Sequence, residues 1–120
     1  MFLVTKIFKF DAAHNLINYN GVCEFMHGHT YTLEVTLQTK KLENGISVDF
    51  NLIKQIVNDV VISKLDHNYI NNLIQQPTAE NICIWIWQQL KPIFSEKVEN
   101  AELYELKLFE GHNSYITYRG

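Results

Sequence analysis

Alternation of apolar and polar residues runs through the first third of the chain and predicts two β-strands. Residues 2–14 carry apolar side chains mostly at even positions, and residues 27–39 alternate again. Successive side chains of a strand point to opposite faces, so His27 and His29 share a face. His14 ends the apolar face of the first strand. If the two strands pair antiparallel, the three histidines approach one another.

Helical spacing of apolar residues follows in the middle of the chain. Residues 52–61 repeat apolar positions at intervals of three and four, which predicts an amphipathic helix ending near Lys64. A second helix begins after Thr78, the predicted N-cap, with the acidic Glu80 in its first turn. Pro92 is expected to help end this helix.

Two further strands close the chain, over residues 101–110 and 115–119, with a glycine turn between them. The order strand-strand-helix-helix-strand-strand predicts an α+β fold, with an antiparallel sheet and both helices on one face. We expect a single domain that spans residues 1–120. The final strands look too exposed to remain free edges, and this predicts pairing with another subunit.

Composition narrows the class of protein. The chain has 120 residues, 47% of them hydrophobic, and a net charge of −3. Its one arginine, Arg119, and its scattered lysines argue against a nucleic-acid surface. No apolar run is long enough to cross a bilayer, and the start of the chain lacks a signal-peptide pattern, so we expect a cytoplasmic protein. Two cysteines predict reduced thiols rather than a disulfide framework.

The three histidines form a candidate metal site. Zinc binds imidazole nitrogen, and catalytic zinc sites often combine three protein ligands with an open position, which His14, His27 and His29 could supply. The alternative is that they are core or loop histidines, and the ligand type alone also allows copper or iron. Cys23 could be a fourth ligand, a buried small hydrophobe, a nucleophile or a base. Cys83 is expected to pack in the core.

Two acidic positions have both a chemical and an ordinary interpretation. Asp66 next to His67 suits a relay in which the acid orients the imidazole, but it could also be an ordinary turn. Glu110 could accept two parallel hydrogen bonds from the edge of a guanidine-like ring, or it could be a solvated strand end.

Five separated motifs, in order and across essentially the whole chain, resemble those of the 6-pyruvoyl-tetrahydropterin synthase family. They are Phe10–His14, Cys23–His29, Leu65–His67, Pro77–Asn81 and Glu110. The three residues between Cys23 and His27 are most similar to the 6-carboxy-tetrahydropterin synthase branch of the queuosine pathway.

This resemblance implies the tunnelling fold, with a four-stranded antiparallel sheet and two helices on one side. It also implies a homo-oligomer, a trimer or hexamer, whose active sites lie between subunits. The zinc ligands that it implies are His14, His27 and His29. The implied catalytic residues are Cys23, Asp66 and His67, and the implied pterin-binding residues are Glu110, Thr78 and Glu80.

The implied reaction converts 7,8-dihydroneopterin triphosphate into 6-carboxy-5,6,7,8-tetrahydropterin, acetaldehyde and triphosphate. Two sister reactions stay open: formation of 6-pyruvoyl-tetrahydropterin, and cleavage to 6-hydroxymethyl-dihydropterin for folate synthesis. The second arises because Glu24 follows Cys23 directly, and some family members use a glutamate near this position. An alternative from another class is a non-catalytic zinc module in which Cys23 closes the site.

Overall fold

Five β-strands and two helical bodies make up residues 1–17 and 27–120, the part of the chain that the computed structural model describes; the side chain of His27 is not described. The elements are, in chain order, β1 (Phe2–His14), β2 (His27–Thr39), α1 (Phe50–Val57), a π-helical turn (Asn58–Ile62), α2 (Ser63–Leu65), β3 (Asn68–Tyr69), a 3₁₀ turn (Ile70–Asn72), α3 (Ala79–Lys97), β4 (Ala101–Glu110) and β5 (Tyr115–Tyr118).

The sheet has the strand order β3-β1-β2-β4-β5. Strands β1, β2, β4 and β5 pair antiparallel, as the sequence predicts, and the α+β class is confirmed. The expected number of four strands is corrected to five, because β3 pairs parallel with Ala12 and Ala13 of β1. With only two residues, β3 is too short to show an alternating pattern.

One hydrophobic core lies between the sheet and the helices. The apolar face of β2 is fully buried, and α3 contributes buried side chains at intervals of three and four residues. These completely buried positions are Tyr31, Leu33, Val35 and Leu37 from β2, and Ile82, Cys83, Ile86, Leu90 and Phe94 from α3. The periodicity in the sequence therefore identifies the faces that the fold buries.

The predicted start of α3 is confirmed, but its predicted end is wrong. Thr78 caps α3 by accepting a hydrogen bond from the backbone N–H of Asn81, and Asp49 caps α1. Pro92 does not help to end α3, which continues to Lys97. Proline removes one backbone hydrogen bond to the residue four positions earlier, and Pro92 and Gln88 are both exposed, where water can replace that bond. No helix in the described ranges is long and apolar enough to cross a membrane.

The thiol of Cys83 lies in the core, as the sequence predicts. Its side chain is fully buried in α3. Burial, with a smaller contribution from the charge of Glu80, raises the pKa of Cys83 to about 12. A thiol with this pKa stays protonated and unreactive at neutral pH, so Cys83 acts as a small hydrophobic residue.

Candidate active site

Two histidine rings meet at one end of the sheet, where β1 ends and β2 begins. The antiparallel register places Ala12 opposite His29 and His14 opposite His27. The rings of His14 and His29 stack, with centroids 5.1 Å apart and an angle of 25° between their planes. The structure therefore brings two of the three predicted zinc ligands together. It places His27 by its backbone only, so all three assignments as ligands stay predictions.

Tyr31 lies beside both rings, two residues after His29 on the same face of β2. Its ring centroid is 6.2 Å from that of His14 and 5.7 Å from that of His29. Its hydroxyl oxygen is 2.6 Å from Nδ1 of His14, a hydrogen-bond distance. Sequence reasoning did not identify Tyr31 as a neighbour of the site. The available signal was its place two residues after His29 in the alternation of β2.

Glu110 joins the histidines from the neighbouring strand. It ends β4 opposite Tyr31, and its Oε1 atom is 2.9 Å from Nε2 of His29. One ligand atom from each of His14, His29 and Glu110 lies within 4.8 Å of the others. Two imidazoles and a carboxylate are a donor set that zinc accepts, so the chemistry of these residues suits a metal ion.

Backbone contacts with Asp11 hold the acid–histidine pair against β1. The backbone N–H of Asp11 donates to Oδ1 of Asp66 at 2.9 Å, and the N–H of His67 donates to the carbonyl of Asp11 at 2.6 Å. Oδ2 of Asp66 is 3.0 Å from Nδ1 of His67. His67 has a φ of +58°, a backbone conformation that is uncommon for residues other than glycine and is often found at functional sites. The acid therefore lies close enough to orient the imidazole, and the relay itself stays a prediction.

The same contacts keep Asp66 ionised. The hydrogen bond from the backbone of Asp11 is the main cause that lowers the pKa of Asp66 below its usual value of 3.8. Burial acts in the opposite direction, and the hydrogen bond and charge of His67 lower the pKa further. Asp66 is therefore a carboxylate at neutral pH, which favours a proton on Nδ1 of His67.

A cavity of about 510 Å³ connects the two groups of residues. It is lined by residues 11–13 of β1, residues 28–30 of β2 and residues 67–69. His29 from the histidine pair and His67 from the acid–histidine pair both border this space. A cavity of this volume lies within the range of small-molecule sites.

Glu110 lines a separate cavity of about 300 Å³. Ala79 at the start of α3 and Tyr115 of β5 line it together with Glu110. Thr78 and Glu80, the two further residues predicted to bind pterin, flank Ala79 but do not line the cavity. The hydroxyl of Thr78 is used in capping α3, and Glu80 is exposed. Their role stays a prediction, whereas Tyr115 is a lining residue that sequence reasoning missed.

Two side-chain amides hold the segment that follows His14. Asn71 accepts from the backbone N–H of Asn15 and donates to the carbonyl of Asn15, at 3.0 and 2.9 Å. Gln76 does the same with Ile17, at 2.6 and 3.0 Å. Tyr69 also donates a hydrogen bond to the side chain of Asn15. These bonds join the chain after β1 to the segment that follows the acid–histidine pair.

Cys23 and Glu24 lie outside the described residues. The catalytic role of Cys23 and the alternative role of Glu24 therefore stay predictions from the sequence. The described chain on either side ends at Ile17 and resumes at His27, next to the paired ends of β1 and β2.

The fold and the site define a class of protein: an α+β domain with two histidines beside a cavity at the paired ends of two antiparallel strands. Residues 3–120 match the sequence model of the family described as 6-pyruvoyl tetrahydropterin synthase. The chain belongs to the 6-pyruvoyl tetrahydropterin synthase family, which confirms the resemblance found in its motifs.

Individual relatives carry more than one activity in their names. The 6-carboxy-5,6,7,8-tetrahydropterin synthase of Rickettsia typhi is 30% identical over 97% of this chain and 99% of its own. The 6-pyruvoyl tetrahydrobiopterin synthase of Dictyostelium discoideum is 35% identical over 83% of this chain and 75% of its own. The structure of Caenorhabditis elegans 6-pyruvoyl tetrahydropterin synthase superimposes with a TM-score of 0.86 at 23% identity, covering 99% of this chain and 95% of that chain. This structural similarity confirms the tunnelling fold.

The contacts of Asp66 predict a pH-dependent contribution to stability. Because folding lowers the pKa of Asp66, its carboxylate stabilises the folded state fully above about pH 4, the value of a free aspartate. This contribution is lost as the pH falls through the folded pKa. Asp66→Asn should therefore lower the free energy of unfolding at neutral pH, and the difference from the unsubstituted protein should close in acid.

Urea unfolding of the two proteins across this pH range measures the effect. Asn68→Ala is a matched control, because Asn68 lies two residues away and donates a hydrogen bond to the carbonyl of Lys64 without titrating. Its cost should not change with pH. A difference for Asp66→Asn that is equally independent of pH would contradict the prediction.

Proposed function

We propose that this protein is a zinc-dependent carbon–carbon lyase that converts 7,8-dihydroneopterin triphosphate and water into 6-carboxy-5,6,7,8-tetrahydropterin, acetaldehyde and triphosphate, in queuosine biosynthesis. The observation that carries the proposal is that His29 and His67, from two different candidate groups, line one cavity. The name of the Rickettsia typhi relative, which matches over nearly the whole length of both chains, supports this reaction. The free thiol of Cys83 suits the proposed cytoplasmic location.

In this proposal His14, His27 and His29 hold the zinc ion. The ion would act as a Lewis acid that lowers the pKa of the substrate side-chain hydroxyls. Glu110 would accept two parallel hydrogen bonds from the pterin ring, which fixes the direction of its side chain. In support, the side chain of Glu110 is 28% exposed and lines the cavity of about 300 Å³.

The acid–histidine pair would move a proton. With Asp66 next to Nδ1 of His67, Nε2 is the nitrogen left to take a proton from the substrate or return it. Cys23 would transfer the proton on the other side of the substrate. The side chain of His67 is 78% exposed in a single subunit, and proton transfer is more effective when water is excluded. A neighbouring subunit that covers His67 would provide this exclusion.

Assembly is therefore part of the proposal, as a trimer or hexamer with active sites between subunits. In the described chain, β3 pairs with only two residues of β1, so most of the outer edge of β1 has no partner strand. The edge strand on the other side is β5. Phe2, Leu3 and Ile7 of β1 are exposed apolar residues beside the open edge. Such edges invite pairing with another copy of the chain.

Charge placed beside the open edge should weaken this assembly. Ile7→Lys puts a solvated ammonium group there, and we expect sedimentation equilibrium to show a shift from trimer or hexamer towards monomer. Ile46→Lys is the matched control, because Ile7 and Ile46 are both 58% exposed and Ile46 lies in the turn after β2. Equal assembly of both variants with the unsubstituted protein would contradict this use of the edge.

Cys23→Ala should abolish turnover while zinc stays bound. The thiol is proposed to move a proton rather than hold the metal, so its loss removes chemistry and not affinity. Metal content and activity of the purified variant measure the two effects. Full activity of Cys23→Ala would show that the thiol is not the base.

In the alternative of a closed zinc module, a cobalt-substituted protein would show thiolate absorption, and the absence of this absorption would exclude that module.

Mass spectrometry of the products tests the reaction itself. Zinc-loaded protein incubated with 7,8-dihydroneopterin triphosphate should produce the mass of 6-carboxy-tetrahydropterin together with acetaldehyde. A 6-pyruvoyl pterin would instead assign the activity named for the Dictyostelium relative. A 6-hydroxymethyl pterin would assign the folate-directed cleavage and a role for Glu24. Either result would overturn the proposed reaction, and no turnover would favour the non-catalytic zinc module.

A further inference from the structure

The hydroxyl of Tyr31 has no part in the proposed reaction, yet it contacts a proposed zinc ligand. Its oxygen is 2.6 Å from Nδ1 of His14. Tyr31 has no exposed surface, and His14 is only 1% exposed. A hydrogen bond between two buried groups is expensive to break, because water cannot easily replace the lost partner.

The sheet, and not a loop, determines where this hydroxyl lies. Tyr31 is directly opposite Phe10 in the register of β1 and β2. The two rings stack with centroids 5.0 Å apart and an angle of 12° between their planes. The phenol ring is therefore held by core packing, and its hydroxyl offers His14 a fixed partner.

The chemistry of imidazole indicates which group donates the hydrogen bond between His14 and Tyr31. A neutral histidine carries one proton on its ring, so a nitrogen that binds a metal ion requires the proton on the other nitrogen. In zinc sites that other N–H is commonly fixed by a hydrogen bond to an oxygen acceptor. With Nδ1 of His14 at the hydroxyl of Tyr31, the nitrogen suited to a metal ion is Nε2.

We propose that Tyr31 is a positioning residue of the zinc site, whose hydroxyl oxygen accepts a hydrogen bond from Nδ1–H of His14 and so presents Nε2 to the metal. This inference rests on the proposed function, because it concerns the same zinc site. It adds a residue that acts through a ligand. His29 has a different neighbour, since its Nε2 atom lies beside Glu110.

Tyr31 does not act on the substrate. It is fully buried, and the cavity of about 510 Å³ is lined by Thr30 but not by Tyr31. A group with no access to the cavity cannot transfer a proton to a bound pterin. The consequence of losing the hydroxyl should therefore appear in metal binding before any turnover is measured.

Tyr31→Phe removes the hydroxyl and keeps the ring that stacks on Phe10. We expect zinc affinity to fall about 10- to 100-fold, the usual effect of losing such an outer partner. Competition with a chromophoric chelator of known zinc affinity measures this at constant pH. His14→Ala, which removes the proposed ligand itself, should lower the affinity further.

Thr39→Val is the matched control for a buried hydroxyl on the same strand. Thr39 is 2% exposed and donates to the carbonyls of Lys41 and Asn100 at the far end of β2. Its loss should lower stability without changing zinc affinity. If Tyr31→Phe binds zinc as the unsubstituted protein does while His14→Ala does not, the role of Tyr31 is overturned and the zinc site stands. If His14→Ala also keeps full affinity, the proposed zinc site fails.

A second measurement needs no variant at all, so it also covers the case in which Tyr31→Phe does not fold. Long-range ¹H–¹⁵N correlation spectra of the zinc-loaded protein identify which nitrogen of His14 carries the proton. We expect the proton on Nδ1 and zinc at Nε2. Zinc at Nδ1 would overturn the inference, because that nitrogen could not then donate to Tyr31.

Discussion

The register between β1 and β2 is the constraint on which the candidate site depends. Side chains alternate between the faces of a sheet, so a slip of one residue would turn His29 away from His14 and expose Tyr31. The register is stabilised along its whole length by burial of the apolar face, where Tyr31 packs on Phe10. The histidines at the strand ends are thus placed by the core rather than by their own contacts.

A second group of contacts ties the acid–histidine pair to the same strands. The backbone of Asp11 bonds to both Asp66 and His67, and the amides of Asn71 and Gln76 hold the chain just after His14. These bonds connect parts of the chain that are more than 50 residues apart. They also support the uncommon backbone conformation of His67. Both halves of the site are therefore preorganised in a single subunit.

A single subunit nevertheless leaves its site open. His67 is mostly exposed, and Glu110 is reachable from a separate cavity. Electrostatic interactions with a reacting group are stronger where water is excluded, because the local dielectric constant is lower. The open edge of β1 offers a physical route to closure by another copy of the chain. In this arrangement the fold of one chain orients the side chains of the site, and assembly with another copy would shield them from water.

Local signals in the sequence were sufficient to predict the main strands and helices. Alternation predicted β1 and β2 and placed His27 and His29 on one face, because the period of two is a property of neighbouring residues. Spacing of three and four predicted the helices, and Thr78 identified a helix start. The contacts between distant segments became visible only in the folded chain. They are strand β3, the hydrogen bonds of the Asn71 side-chain amide, and the approaches of Tyr31 to His14 and of Glu110 to His29. These depend on register and packing across the fold, which leave no short pattern in the chain.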